Sequence, residues 1–269
     1  MPVSCPIQFT LLSDEEFHRL DFQVMSHVFS CHNELGRLCD EAIYHSDLAA
    51  RLAAANLGPI QTEVPLTVSW REFRKTYFLD LVVGATALYE LKVVSTLLGE
   101  HQSQILNYLL LLELRTAKLI NLRSPKVESR FISSRLTSEM RRDIVFDTAR
   151  FRPVSDGCAA FRRDTEDLLR TLGAFLALDL YEEALVWACG GELKAVQSVE
   201  MSRAGIALGR QRCSVVAPGV AFRVTAYTDS LDRIESHLTR FLRHANLRAL
   251  HWLNLDRTTI TLITLVPTA

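Results

Sequence analysis

Three consecutive β-rich segments restrict the first half of the chain to few folds. They read TEVPLTVSW, TYFLDLVV and ALYELKVV, and the short polar connections REFRK and GAT join them. β-Branched and aromatic residues separated by short turns are typical of an antiparallel meander. Helical spacing precedes the meander over residues 14–55 and follows it in GEHQSQILNYLLLLEL, before the apolar strand segment AKLINL. The predicted order of elements is therefore αβββαβ.

Two carboxylates and an ammonium group interrupt the apolar strands of this meander. If GAT is the loop of a hairpin, Asp80 lies directly opposite Glu90, and strand alternation puts Lys92 on the same face. Like charges on cross-strand neighbours, roughly 5 Å apart, destabilise a sheet unless a cation bridges them. Mg²⁺ or Mn²⁺ accepts such carboxylates, and a nearby lysine can orient or deprotonate water, which is typical of phosphodiester hydrolysis. The alternative is a solvated ion pair between Lys92 and either carboxylate.

The helix after the meander carries a polar pair. Gln104 and Tyr108 are spaced i, i+4 and share the helix face that should look back at the strand ends. A polar helix face without a role is the alternative. His32, His101 and Gln102 lie near these motifs, and we expect structural roles for them, because an oxygen-rich site selects Mg²⁺.

Composition indicates a folded protein without a large basic surface. The chain has 269 residues, of which 48% are hydrophobic and 23% are charged, and its net charge is -1. Contact with nucleic acid would therefore depend on local patches or a metal. Six cysteines without metal-finger spacing predict reduced thiols and a cytoplasmic protein. The absence of a signal-like segment or a long apolar run predicts no membrane association.

The second half repeats the pattern of the first. ALYELKVV and the residues after it align with AFRVTAYT and its continuation, with one deletion, so that Asn121 falls on Asn254. Upstream, LCDEAI aligns with LYEEAL, and Glu41 falls on Glu183. The alignment predicts a degenerate second copy, because Ser214, Val224, Ala226 and His237 stand at the positions of Asp80, Glu90, Lys92 and Gln104.

A basic helix is predicted near the end of this second copy. Its sequence, RIESHLTRFLRHANLR, could contact phosphate groups, or it could be an ordinary solvated amphipathic helix. The basic residues are Arg233, His237, Arg240, Arg243, His244 and Arg248.

Several segments of the first half together resemble the GxxExxY family, a branch of the PD-(D/E)XK nuclease superfamily. These segments are HNELG, EAIY, YFLDLVV, ELKVV, HQSQILNYL and LINL. The resemblance covers residues 14–135. Glu41 and Tyr44 match the name-giving motif, whereas Leu38 stands where its glycine would fall and Gly36 matches a neighbouring glycine.

The resemblance implies an α/β (α+β) fold, a restriction-endonuclease-like αβββαβ core with a central mixed sheet flanked by helices. It implies that Asp80 and Glu90 hold Mg²⁺ or Mn²⁺, that Glu41 completes the metal shell and that Lys92 acts on water. Gln104 and Tyr108 match the family's helical QxxxY and are counted with the catalytic residues.

These observations predict two domains, 1–152 with the nuclease-like residues and 158–269 as the degenerate copy. The expected activity is a metal-dependent nuclease with DNA favoured over RNA. A catalytically weak nucleic-acid-binding or protein-interaction module with the same fold is the alternative. The C-terminal half is expected to serve packing or a protein partner, in a monomer with an internal pseudo-dimer or in a homodimer.

Overall fold

A computed structural model describes residues 2–267, which form two compact units that divide between Thr137 and Ser138. Each unit contains a six-stranded mixed sheet flanked by helices, so the predicted fold class is confirmed. The elements of the first unit are β1 (Val3–Ser4), α1 (Asp14–Leu35), α2 (Glu41–Ala54), β2 (Ile60–Trp70), β3 (Phe73–Val83), β4 (Ala87–Lys92), α3 (Gly99–Leu112), β5 (Thr116–Asn121) and β6 (Glu128–Ser133).

The strands of the first unit lie in sequence order from β1 to β6. Only β4 and β5 run parallel, because α3 connects them, and every other neighbouring pair is antiparallel. Helices α1 and α2 cover one face of the sheet, where Tyr44 and Leu48 pack with Leu81, Tyr89 and their neighbours in the core. This packing is the expected one, since the apolar residues of β4 alternate with its charged residues.

A short turn between α1 and α2 fixes the start of α2. Gly36 ends α1 with a φ of 72°, a left-handed value that favours glycine, and its N–H donates to the carbonyl of His32. The hydroxyl of Tyr44 donates to the carbonyl of Gly36 over 2.8 Å and accepts from the N–H of Cys39 over 3.3 Å. The turn therefore forms although Leu38 occupies the motif glycine position.

The second unit repeats the order of two helices, three strands, one helix and two strands, and it has two additional short helices. Its elements are α4 (Ser138–Arg142), β7 (Val145–Asp147), α5 (Asp156–Leu172), α6 (Leu178–Ala188), α7 (Glu192–Ala195), β8 (Val196–Arg203), β9 (Ile206–Ala217), β10 (Val220–Thr225), α8 (Leu231–His244), β11 (Ala249–Asp256) and β12 (Thr259–Leu265). The sheet order is β7-β12-β11-β10-β9-β8, and β10 and β11 run parallel across α8.

Three local contacts recur in both units. Tyr181 Oη donates to Gly173 and accepts from the N–H of Leu176, as Tyr44 does with the α1–α2 turn. Phe161 packs on Phe222 as Phe17 packs on Tyr89. Asn254 bonds to both backbone groups of Tyr227, as Asn121 bonds to those of Val94. The repeated contacts extend the similarity from element order to individual side chains.

The structure divides the chain earlier than the predicted boundary at residue 152. Val145–Asp147 pairs with β12, the last strand of the second unit, because Val145 lies beside Thr259 in parallel register. The residues between the two predicted domains, 153–157, lead directly into α5, which begins at Asp156. Residues 138–152 therefore belong to the second unit.

The alignment of the two halves also differs from the structure by one residue at β10. Because Lys92 pairs with Asn121 and Thr225 pairs with Asn254, Lys92 corresponds to Thr225 rather than to Ala226. The loop before β10 has two residues where the loop before β4 has three, but a bulge in β9 beside this loop adds one residue, so the correspondence between the units has the same offset on both strands of the hairpin. By the same count, Glu90 corresponds to Arg223 rather than to Val224, and Asp80 corresponds to Cys213 rather than to Ser214.

The start of α6 differs from the alignment in the same way. The matched tyrosines, Tyr44 and Tyr181, place Leu178 at the position of Glu41, whereas the alignment used Glu183. The second unit thus lacks counterparts of Asp80, Glu90 and Glu41 at the matched positions.

All six cysteines are free thiols. Over residues 2–267, no helix has both the length and the apolar character needed to cross a bilayer.

Candidate functional site

The hairpin of β3 and β4 has the register predicted from its loop. Leu81 pairs with Tyr89, and Val83 pairs with Ala87, so the next pair brings Asp80 beside Glu90. Tyr89 and Leu91 lie in the core with α1 and α2, as alternation requires. The prediction that both carboxylates lie together is confirmed.

Lys92 bridges the two carboxylates. Its Nζ lies 2.7 Å from Oε1 of Glu90 and 3.7 Å from Oδ2 of Asp80. The Glu90 side chain has no exposed surface, and those of Asp80 and Lys92 are 11% and 15% exposed. The alternative of a solvated surface pair is therefore wrong. A buried pair of this kind carries a desolvation cost that its charge pairing must offset.

Asp80 is held in place by the backbone of the neighbouring strand. The N–H of Leu91 donates to Oδ2 of Asp80 over 2.9 Å. A carboxylate that accepts a buried backbone hydrogen bond has little rotational freedom, so the position of Asp80 is set by the sheet itself.

The electrostatics of the cluster reflect burial and crowding. Burial, with the adjacent Asp80, raises the pKa of Glu90 to about 8, and burial also raises the pKa of Asp80. Burial alone would lower the pKa of Lys92, but the charges of Glu90, Asp80 and Glu41 raise it above its ordinary value. Because the pKa values of both carboxyl groups are raised, the cluster favours either a bound proton or an additional cation beside the lysine.

Helix α2 brings two further donors to Asp80. Glu41 and His45 are spaced i, i+4 and share a helix face. One donor atom from each of Glu41, His45 and Asp80 lies within 4.8 Å of the other two. The predicted proximity of Glu41 is confirmed, whereas His45 was missed. Its spacing from Glu41 was the available signal, since i, i+4 pairs commonly present two ligands on one helix face.

Glu63 borders the same region from β2. Its φ of 51° lies in the left-handed region, which is rare for a residue other than glycine and costs roughly 1–3 kcal/mol. Glu63, Glu41 and His45 line an open cavity of about 450 Å³, together with Thr62 and Ser46. The cavity gives a ligand access to the face of α2 that carries the donors.

Gln104 and Tyr108 lie on the side of the cluster formed by α3. Nε2 of Gln104 donates to Oη of Tyr108 over 2.8 Å. Burial raises the pKa of Tyr108, and the charges of Glu90 and Asp80 contribute to the increase, which places the phenol near the carboxylates. Its ring packs edge-on to Tyr77 of β3. Tyr108 therefore lies near the two carboxylates, and Gln104 contacts Tyr108.

The other polar residues near the motifs have structural positions. His32 is buried, and its Nε2 lies 3.1 Å from the carbonyl oxygen of Ser124. Nδ1 of His101 accepts the N–H of Leu98 at the start of α3. Gln102 is half-buried within α3.

The donor set fits a divalent cation. Among residues 2–267, Nε2 of His45 and Oε2 of Glu90 are buried atoms without a hydrogen-bond partner. Buried polar atoms in folded proteins nearly always have a partner, so these two atoms are suited to contact a ligand. Carboxylates crowded around one point supply the oxygen donors that Mg²⁺ and Mn²⁺ accept.

The basic residues predicted for the second unit are on or next to α8. Arg233, Arg240 and Arg243 are exposed on the helix. Arg248 follows the helix and donates to the carbonyl of Pro218, and Nδ1 of His244 lies 3.1 Å from the carbonyl oxygen of Ser202. His237 is exposed.

Comparison with known proteins agrees with this geometry. A family model described as PD-(D/E)XK nuclease superfamily matches residues 18–132. No curated protein and no solved structure matches the chain. The matched segment contains Glu41, Asp80, Glu90, Lys92 and Tyr108 and ends within the first unit. Residues 18–132 of this chain are therefore similar to the PD-(D/E)XK nuclease superfamily.

Proposed function

We propose that the first unit is a metal-dependent nuclease that hydrolyses phosphodiester bonds, with DNA rather than RNA as its substrate. The observation that carries the proposal is the contact of Lys92 with Glu90 beside Asp80, inside the segment that matches the superfamily. Three charged side chains on buried strands have a high desolvation cost, which a structural role alone does not explain.

In this proposal Asp80, Glu90 and Glu41 hold Mg²⁺ or Mn²⁺. Asp80 is oriented by the N–H of Leu91, and Glu41 by the Tyr44 turn at the start of α2. When bound, the cation supplies charge neutralisation at the phosphate and a more acidic water. The sheet and the turn thus preorganise the carboxylates before the substrate arrives.

Lys92 acts on the nucleophile and on the phosphate. Its Nζ donates to Oε1 of Glu90, and an ammonium group has three donors. The remaining donors can orient the attacking water and stabilise the negative charge that develops on the phosphate oxygens. Lys92 is therefore proposed as a catalytic residue and not as a ligand.

Gln104 and Tyr108 position the substrate in the proposal. Oη of Tyr108 accepts a hydrogen bond from Gln104, so its own proton remains available for a phosphate oxygen. The nearness of Tyr108 to Glu90 and Asp80 supports contact with the scissile phosphate.

The second unit is proposed to be a duplicated and degenerate copy. The repeated contacts support the duplication, and the replacement of Asp80, Glu90 and Lys92 by Cys213, Arg223 and Thr225 supports the loss of chemistry. The exposed arginines of α8 support a role in contacting nucleic acid or a protein partner.

The test is incubation of the full chain with labelled single- and double-stranded DNA and RNA in Mg²⁺, Mn²⁺ or EDTA. We expect cleavage of DNA in either metal and none in EDTA. Lys126→Ala serves as the control for Lys92→Ala, because Lys126 is exposed in the same unit. Retained DNA binding without cleavage in any metal would support the alternative, a binding module with a nuclease fold.

A further inference from the structure

His45 lies on the face of α2 that carries Glu41, and it faces Asp80 of the sheet. Its side chain is 11% exposed, and its Nε2 lies 3.9 Å from Oδ2 of Asp80 without a hydrogen-bond partner among the described residues. A donor atom of Glu41 lies within 4.8 Å of donor atoms on both residues. An imidazole nitrogen that is buried beside carboxylates and has no hydrogen-bond partner can act as a metal ligand.

The other ring nitrogen of His45 faces a third carboxylate. Nδ1 lies 3.8 Å from Oε1 of Glu63, whose left-handed backbone turns β2 locally at this point. Metal-binding histidines commonly direct the second ring nitrogen toward a carboxylate, which fixes the tautomer and increases the basicity of the ligand. Glu63 lies where it can orient the imidazole of His45 in this way. The left-handed backbone of Glu63 would then serve to direct its carboxylate toward His45.

We propose that His45 is a nitrogen ligand of the metal site and makes the site selective for Mn²⁺ over Mg²⁺. The proposal rests on the proposed function for the existence of the site and adds the identity of its ion. Mg²⁺ prefers oxygen donors, whereas imidazole favours first-row transition ions. A site of Glu41, His45 and Asp80 combines one nitrogen donor with carboxylates, so selectivity follows from the donor types.

The test measures metal binding directly, independently of cleavage. Pulsed electron paramagnetic resonance of the full chain with Mn²⁺ should show nitrogen hyperfine coupling, and His45→Glu should remove the coupling. Titration calorimetry should show that His45→Glu lowers the ratio of Mn²⁺ to Mg²⁺ affinity by about tenfold or more, since the variant has oxygen donors only. His237→Ala is the matched control, an exposed histidine of the second unit.

The outcomes separate this proposal from the proposed function. Nitrogen coupling that disappears in His45→Glu supports the inference even if no nucleic acid is cleaved. Metal-dependent cleavage combined with Mn²⁺ bound without nitrogen coupling would overturn the inference and leave the nuclease proposal intact. The pulsed electron paramagnetic resonance spectrum of the wild-type chain with Mn²⁺ tests the inference by itself. The test therefore remains possible even if the His45→Glu variant fails to fold.

Discussion

The ammonium group of Lys92 lies 2.7 Å from Oε1 of Glu90, a carboxylate with no surface exposed to solvent. The two residues are neighbours on one face of β4, and Asp80 of β3 completes the cluster. Burial makes the arrangement costly unless the charges are neutralised further. The cluster therefore links the sheet to the proposed chemistry, and variants can separate its stabilising role from its catalytic role.

Replacing Lys92 by alanine should remove cleavage and retain metal binding. The lysine acts on water and phosphate, so we expect the rate to fall by about 10²-fold or more, while Mn²⁺ affinity measured by calorimetry changes little. Lys126→Ala should cleave at the wild-type rate. A Lys92→Ala protein that cleaves normally would show that the mechanism is wrong.

Removing the hydroxyl of Tyr44 should weaken metal binding through the turn that begins α2. Tyr44→Phe leaves the carbonyl of Gly36 and the N–H of Cys39 without this partner, at a cost of about 1–3 kcal/mol. Tyr181→Phe is the matched control, because it removes the same contacts in the second unit. Both variants should lose stability in urea titrations, but only Tyr44→Phe should bind Mn²⁺ more weakly. Equal Mn²⁺ affinities in the two variants would exclude the positioning role of the turn.

The buried side chains of Asp21 and Lys118 should stabilise the first unit only when both charged residues are present. Nζ of Lys118 lies 2.6 Å from Oδ2 of Asp21, and both side chains are 7% exposed. Lys118→Met should cost about 3–5 kcal/mol in the free energy of unfolding, because it leaves a buried carboxylate unpaired. The double variant Asp21→Leu, Lys118→Met should recover most of that loss.

The exposed ion pair of Arg19 and Glu15, which lies on α1 like Asp21, is the control for the buried pair. Arg19→Ala should change the free energy of unfolding by about 1 kcal/mol or less. If Lys118→Met cost no more than Arg19→Ala, the buried pair would not contribute as proposed.

His251 should make the second unit less stable in acid. Burial lowers the pKa of His251 to about 4, compared with 6.5 when the chain is unfolded. As the pH falls, the unfolded state therefore binds a proton before the folded state does. The neutral, buried imidazole makes its full contribution to the free energy of unfolding above pH 6.5, and this contribution is lost as the pH falls toward 4. The difference between the pKa values of His251 in the two states corresponds to about 3 kcal/mol in the free energy of unfolding.

The measurement compares the wild-type chain with His251→Met by urea unfolding at several pH values, followed by tryptophan fluorescence. Trp187 and Trp252 report on the second unit. The variant should lose stability less steeply than the wild type between pH 6.5 and 4. Identical slopes would mean that His251 titrates normally in the folded protein.

Local patterns predicted the hairpin that carries the cluster. The three-residue loop and the alternation of Tyr89, Glu90 and Leu91 determine the register, so Asp80 could be placed beside Glu90 without coordinates. The Gln104–Tyr108 pair was predictable for the same reason, since i, i+4 residues share a helix face.

The remaining parts of the site depend on tertiary packing. The rotation of α2 against the sheet brings His45 to Asp80, and no local pattern specifies that rotation. The left-handed backbone at Glu63 likewise has no signal in a strand segment. In the second half, the predicted correspondence differs by one residue because a single deletion can be placed on either side of a strand, and no local pattern marks the bulge in β9.

The most direct test of the central claim is the initial rate of DNA cleavage as a function of Mn²⁺ concentration for the wild-type chain and Glu90→Gln. Glu90→Gln keeps the side-chain shape and removes the charge that pairs with Lys92 and is proposed to hold the cation. The account predicts saturable, EDTA-sensitive cleavage for the wild type and a loss of about 10²-fold or more in the variant. Equal rates for the two proteins at every Mn²⁺ concentration would contradict it.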